Sequence, residues 1–280
     1  MRERLNQNEI DAFHRDGFVL LRNFYDVEHT ISPIQSAIRE IISLVRQNKG
    51  LPSDVAPDNS ESFDRDFLDL IAHDRKLGGI VYDAVKQIPA FVRLVCSASH
   101  ESIYKQLRGT DLPGIAAGGF GIRIDNPNEE MFRADWHQEY PAQLRSLDGA
   151  VFWSPLVPIT EDIGPVKICV GSHLDGALPV LMSDPDHPQK TGAYALILSD
   201  RDERVGRYTQ VAPLTRPGDL LIIDFLTLHA SGHNRGKRSR WSMQSRLFNF
   251  REPTGVGHGW KGSYANGVDF RKIHPELVSV

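Results

Sequence analysis

Near the middle of the chain the run Trp136-His137-Gln138-Glu139 sets an imidazole and a carboxylate two residues apart. On an extended segment alternate side chains share a face, so His137 and Glu139 can converge on one point. A second imidazole, His229, stands at the end of the apolar run DLLIIDFLTLH, where a strand leaving the core would bring it to the same place. Two histidines and one carboxylate occupy one face of an octahedron, which leaves positions open for a cosubstrate and dioxygen on ferrous iron. Those open positions make such a centre catalytic rather than structural. Arg240 lies eleven residues beyond His229, across the turn-like stretch SGHNRGKRS, and Ser242 follows two residues on. A guanidinium there grips a carboxylate bidentately and the serine adds a hydrogen bond, so a dicarboxylate bound to the metal at its other end fits between them.

A lone His-X-Glu is a weak signal in a chain with 11 histidines, and the downstream His229, Arg240 and Ser242 give it weight. Tyr140 and Gln143 follow the ligand pair and are candidate substrate contacts at a cavity mouth, with solvated loop residues as the competing reading. Arg145 is a weaker candidate of the same kind. Arg123 lies between Ile122 and Ile124 and is expected to point outward, by strand alternation. His173 reads as a turn residue and His233 as a loop residue, since a fourth ligand would fill a position that an oxygenase needs open. Asp224 interrupts an apolar strand and, if buried, needs a partner.

The elements that must position these groups change character along the chain. Asn8 to Phe13 reads as a helix that ends before Asp16-Gly17, and FVLLRNF reads as a strand. Ser32 and Pro33 supply an N-cap and first-turn proline for a helix whose Ile34, Ile38, Ile41, Ile42 and Val45 recur at helical spacing. Residues 51–65 read as a loop, and Phe67 to Arg108 as two or three amphipathic helices. After Gly114 the runs IAAGGFGIRI, AVFWSPLVPI, PVKICVGS, TQVAPL, DLLIIDFLTLHAS and WSMQSRLFNF have strand lengths, separated by turns. The expectation is a mainly β fold, a double-stranded β-helix (jelly-roll, cupin-like) core buttressed by N-terminal α-helices. It forms one domain over residues 1–280, with a mostly helical buttress at 1–113, the jelly roll at 114–252 and a tail at 253–280.

Composition sets the class. With 280 residues, 40% hydrophobic and 24% charged, the chain is long enough to bury a sizeable core without disulfides. A net charge of -4, mixed along the sequence, leaves no electrostatic footprint for nucleic acid. Two distant cysteines, Cys96 and Cys169, fit a reduced, cytoplasmic setting, and no stretch has the roughly 18 apolar residues that span a bilayer. Oligomeric state is not legible.

The sequence resembles the phytanoyl-CoA dioxygenase family of iron(II)/2-oxoglutarate oxygenases. The resemblance is carried by EIDAFHRDGFVLLRNF, WHQE, WSPLVPITEDIGPVKICVGSH and HASGHNRGKRSRWS, in that order and spacing. It implies that His137, Glu139 and His229 hold Fe(II), and that Arg240 with Ser242 anchors the distal carboxylate of 2-oxoglutarate. It further implies that Ser231 and Trp153 help to hold the cosubstrate. The family usually has Asp where this chain has Glu139, a difference of one C–C bond, roughly 1.5 Å. Because an acid is still present, a halide is not expected in its place, as occurs in related halogenases.

The implied activity is oxidation of an unactivated C–H bond of a small, polar molecule with O2, releasing succinate and CO2. Hydroxylation is the default, with cyclisation, desaturation or epimerisation open to the same chemistry. Two alternatives stand beside it: a cupin-like metalloenzyme that does not use 2-oxoglutarate, and a jelly-roll module that only binds a small molecule. The polar stretch HLDGALPVLMSDPDHPQKTG, with Asp184, Asp186, His187 and Lys190, is expected at the entrance.

Overall fold

A computed structural model of the chain describes residues 1–52, 63–191, 195–262 and 267–279. The β-branched and aromatic runs picked out above become strands: β1 (Phe18–Leu21), β2 (Pro113–Ile115), β3 (Gly121–Asp125), β4 (Ala150–Pro155), β5 (Val166–Cys169), β6 (Val180–Leu181), β7 (Ile197–Leu198), β8 (Gln210–Val211), β9 (Leu220–Asp224), β10 (His229–Ser231) and β11 (Arg240–Asn249). The larger sheet runs β1-β9-β4-β11-β2, with β3 also paired to β11, and the smaller runs β10-β5-β8. All these pairings are antiparallel. Every residue of β4 and β9 is buried, because the larger sheet is covered on both faces. This is the jelly-roll core expected from the sequence, and the early strand β1 pairs into it beside β9.

Helices α1 (Gln7–Asp16), α2 (Ser32–Asn48), α3 (Arg65–His73), α4 (Arg75–Val85), α5 (Pro89–Val95) and α6 (Ala98–Arg108) form the buttress, one more helix after Phe67 than the periodicity suggested. The apolar stripe Ile34, Ile38 and Ile42 of α2 is fully buried in a core shared with Phe67, Val81, Phe152 and Trp241. Each such side chain contributes about 1.5–3 kcal/mol. On β11, side chains alternate. Trp241 turns outward to the helices, edge-on to Phe63 and Phe67 at 5.6 and 5.0 Å between centroids. Arg240, Ser242, Gln244 and Arg246 share the other face, toward the smaller sheet.

One local expectation is corrected. Ser32 is not the N-cap of α2, because a π-helical turn at Val27–Ile31 runs directly into it and Asp26 caps that turn instead, accepting from the His29 N–H at 3.0 Å. The expected loop at 51–65 lies largely outside the described residues, and its end is already the start of α3. Gly17 does need its freedom: it closes α1 at φ 80°, and a Cβ there would sit 2.2 Å from Thr227 Oγ1. The close approach lets the Gly17 carbonyl accept from the Asp224 N–H (2.9 Å) and the Thr227 hydroxyl (2.8 Å), which ties the start of β1 to the turn before His229. Asp224, the acid in an apolar strand, finds its partner in Arg108 at 2.6 Å.

Candidate active site

His137 and His229 are placed by backbone. The two residues form an isolated antiparallel bridge, each N–H donating to the other's carbonyl at 3.1 and 3.0 Å, so their rings lie 4.3 Å apart between centroids. Each ring is then oriented by its own Nδ1, which meets a carbonyl two residues earlier: Asp135 O at 2.6 Å for His137 and Thr227 O at 2.9 Å for His229. A carbonyl can only accept, so Nδ1 carries the proton and Nε2 presents its lone pair. This is how metal-ligating histidines are held. Burial, followed by the neighbouring His137, lowers the His229 pKa to about 3, so its ring is neutral and able to ligate.

Glu139 completes the cluster by a route that differs from the expected strand. The chain turns helical at Glu139 (φ -71°, ψ -31°), which opens the short helix α7 (Tyr140–Gln143). From there the carboxylate swings back until Oε2 lies 4.0 Å from His137 Nε2 and 3.9 Å from His229 Nε2. The other oxygen, Oε1, accepts from Arg246 Nε at 2.9 Å and from Gln143 Nε2 at 3.2 Å. Burial alone would push this carboxyl up. The Arg246 guanidinium, then His137 and His229, outweigh it and hold the group at about 2. Among the described residues these three side chains form the one cluster of potential metal ligands, with all donor atoms within 4.8 Å of one another. Two imidazoles that turn Nε2 to one point and a carboxylate with one oxygen unclaimed suit a divalent first-row ion.

The anchor region is more crowded than the sequence suggested. Arg240 begins β11 as expected and is almost wholly buried, at 1% exposure. Its Nε and Nη2 donate to Asp125 Oδ2 at 3.2 and 2.8 Å, Nη2 also reaches Ser231 Oγ at 2.8 Å, and Nη1 donates to the Gly164 carbonyl. Asp125 takes a second guanidinium from Arg123, whose Nε lies 2.9 Å from each of its oxygens. Burial would raise the Asp125 carboxyl, yet Arg123 and Arg240 together hold it at about 2. Arg123 is therefore not outward-facing. It stands opposite Ser242 in the β3–β11 register and lines the cavity at the His137–Glu139–His229 cluster. Ser242 Oγ is buried without a hydrogen-bond partner. Two cations share one carboxylate beside an unsatisfied hydroxyl, and of these residues Arg123 lines the cavity at the cluster whereas Arg240 and Ser242 do not.

Trp153 and Ser231 line an inner cavity of about 60 Å³ together with all three cluster residues, Gln244 and Arg246. An outer cavity of about 170 Å³ shares His137, Glu139, Arg123 and Arg246 with it and adds Lys190 and Leu196. Neither Tyr140 nor Gln143 lines these cavities. Because the chain turns helical at Glu139, Tyr140 rotates inward, fully buried, with its hydroxyl on His274 Nε2 at 2.6 Å. Gln143 braces Glu139, and its Oε1 accepts from Arg145 at 2.7 Å. His173 meets the His14 carbonyl and His233 meets Glu130, both away from the cluster. In the expected entrance loop, Asp184 accepts from the Asp186 and His187 N–H groups and pairs with Lys190 at 3.0 Å. Sequence reasoning missed Arg246 and Asp125. The signal for Arg246 was its parity with Arg240, Ser242 and Gln244 along β11.

The family model described as phytanoyl-CoA dioxygenase (PhyH) matches residues 13–242. No curated protein matches the sequence. Among solved structures, the fold is similar to the non-haem alpha-ketoglutarate-dependent carbocyclase SnoK from nogalamycin biosynthesis, with TM-score 0.58 and 15% identity over 88% of this chain and 85% of that one. EctD from S. alaskensis with bound Fe gives TM-score 0.55 and 14% identity, covering 89% of this chain and 78% of that one. EvdO2 from Micromonospora carbonacea var. aurantiaca, complexed with 2-oxoglutarate, gives 0.51 and 17%, covering 87% and 91%.

Proposed function

Because the chain belongs to the phytanoyl-CoA dioxygenase family and is an Fe(II)/2-oxoglutarate-dependent oxygenase, we propose that His137, Glu139 and His229 hold its iron and that it oxidises an unactivated C–H bond of a small molecule. When bound, the metal with 2-oxoglutarate and O2 supplies the oxidising power, and the cosubstrate leaves as succinate and CO2. Hydroxylation is the default outcome, with one oxygen atom going to the product and one to succinate.

The protein's part is alignment and exclusion of water. His137 Nε2, His229 Nε2 and Glu139 Oε2 are the donor atoms, kept in place by the Asp135 and Thr227 carbonyls and by Arg246. Arg240 and Ser242, with Arg123 across the ladder, receive the distal carboxylate of 2-oxoglutarate, while Asp125 balances part of their charge. Ser231 fixes the Arg240 guanidinium, and Trp153 closes the inner wall. Two free cysteines, Cys96 and Cys169, support a reducing, cytoplasmic location. Among the described residues no helix is long and apolar enough to cross a membrane.

The observation that carries this reading is the convergence of three donor atoms whose rings and carboxylate are each pinned from behind. Succinate release should require both Fe(II) and 2-oxoglutarate, and should vanish in His137→Ala and in His229→Ala. Turnover that continues in either variant, or without 2-oxoglutarate, overturns it.

A further inference from the structure

Beside the metal cavity lies a second, larger chamber of about 480 Å³, between helix α4 and strand β3. Its volume is in the range that takes a drug-sized ligand. It meets the metal cavity at Arg123, Gln244 and Arg246, three side chains that line both. Apart from Arg75 and Asn126, the remaining walls are aromatic, aliphatic or bare: Phe67, Tyr82, Phe120 and Phe132 supply rings, and Ile122 and Ile124 supply aliphatic surface. Tyr82 and Phe132 stay 42% and 47% exposed at its rim, with Lys86 Nζ 3.9 Å from the centroid of Tyr82.

The room in the chamber is written into glycines. Gly78 and Gly79 sit side by side inside α4, where glycine is among the poorest helix formers. A Cβ on Gly79 would meet nothing within 4 Å, and one on the facing Gly121 would meet only Lys86 Cγ at 3.8 Å. Side chains are thus missing at Gly79 and Gly121 where no packing requires it, whereas Gly78 is kept to glycine by Ile71 Cγ2, 2.8 Å from where its Cβ would be. A local rule broken without a packing reason points to function.

Charge sets the other half of the specification. Three guanidiniums line the chamber, from Arg75, Arg123 and Arg246, and no carboxylate does. Their partners Glu129, Asp125 and Glu139 do not line it. Arg75 lies toward solvent, with Nε and Nη2 on Glu129 at 2.5 and 2.9 Å and its guanidinium 5.6 Å from the centroid of Phe132. Its Nη1 lies 2.9 Å from the point a Gly78 Cβ would occupy, on the chamber wall.

We propose that this chamber receives the body of an organic anion with an aromatic or fused-ring core, its carboxylate or equivalent group held at Arg75 and its far end directed past Gln244 and Arg246 to the metal. The inference rests on the oxygenase reading, because it makes the chamber the substrate arm of that site. Rings stack on Tyr82 and Phe132, and the anion meets the guanidiniums on the chamber side, opposite the carboxylates that pair with them from outside the lining. The substrate is then polar at one end and flat and apolar along its body.

The test uses the whole protein loaded with Fe(II) and saturating 2-oxoglutarate without oxygen, titrated calorimetrically with naphthalene-2-carboxylate, its neutral carboxamide, and gluconate. The carboxylate should bind about 10-fold tighter than the carboxamide, as a charge-assisted hydrogen bond implies, and gluconate should give no heat. Gly79→Phe, which fills the chamber from the helix side, should weaken naphthalene-2-carboxylate at least about 10-fold. Gly121→Val does so from the strand side and serves if the first variant fails to fold. Arg75→Gln should abolish the preference for carboxylate over carboxamide. The inference is overturned by absent naphthalene-2-carboxylate binding in the wild type, by gluconate binding more tightly, or by both filled variants binding as the wild type does. A separate titration of the Fe(II)-loaded protein with 2-oxoglutarate separates the two levels. No 2-oxoglutarate heat sinks the oxygenase reading, whereas normal heat with affinity unmoved by the filled variants sinks the chamber alone.

Discussion

His137 and His229 exchange two backbone hydrogen bonds, so the approach of the two rings is set by strand register rather than by side-chain packing. Removing one ring leaves the bridge intact. His137→Ala and His229→Ala should therefore fold with near-normal circular dichroism while binding Fe(II) at least about 100-fold more weakly, since loss of an outer-shell partner alone costs 10- to 100-fold. Calorimetric titration with the metal checks this. Wild-type affinity in either variant would remove that histidine from the ligand set.

Arg246 decides which oxygen of Glu139 faces the two imidazoles. It holds Oε1 at 2.9 Å, which leaves Oε2 to the histidines. Arg246→Met keeps an unbranched stem about as far as Nε and deletes the guanidinium, so the longer glutamate arm is free to rotate. Metal affinity should fall about 10- to 100-fold, and Arg246→Lys should restore part of it. Equal affinity in wild type and Arg246→Met would show that Glu139 is positioned without it.

Arg123, Asp125 and Arg240 form a buried two-cation, one-anion unit beside the Ser242 hydroxyl. Truncating one partner of a buried, hydrogen-bonded charge pair costs about 2–5 kcal/mol, at least a 30-fold change in binding. Arg240→Gln should raise the 2-oxoglutarate Kd by that factor or more and leave Fe(II) affinity within a few-fold. Arg123→Gln should do the same if it shares the load. Asp125→Ala should instead lower stability, since it leaves two buried guanidiniums without their shared counterion. Unchanged 2-oxoglutarate affinity in both arginine variants would move the anchor elsewhere.

The residues legible in advance were those whose chemistry is rare and whose spacing is conserved by geometry. His137, Glu139, His229, Arg240 and Ser242 announce themselves by type, and the alternation along β11 puts Arg240 and Ser242 on one face before any coordinates exist. Arg123 was misread because strand alternation separates two faces without saying which is the interior. In β3 both faces are covered, Ile122 turning to the core and Arg123 to the barrel cavity. Tyr140 was misplaced for a different reason. An extended segment predicts every second residue inward, and the change to helix at Glu139 breaks that period at the residue that matters. Arg246 and the α4 chamber were hidden because both depend on tertiary approach, one across the barrel and one between a helix and a strand.

His100 gives the chain a stability that depends on pH. It is buried between Phe24 and Phe152, ring centroids at 6.3 and 5.0 Å, with Nε2 2.7 Å from the Tyr25 hydroxyl. Burial lowers its pKa from 6.5 to about 4, so the unfolded chain binds more protons than the folded one between those values. Stability from this group is complete above pH 6.5 and is lost as pH falls through 4. The shift corresponds to about 3 kcal/mol. Urea unfolding of the wild type between pH 7.5 and 4 should therefore show about 3 kcal/mol more loss than His100→Gln, which cannot titrate, while other groups cancel in the comparison. Parallel pH profiles for the two proteins would mean that His100 takes up its proton inside the fold as readily as in the unfolded chain, Nε2–H then donating to the Tyr25 oxygen.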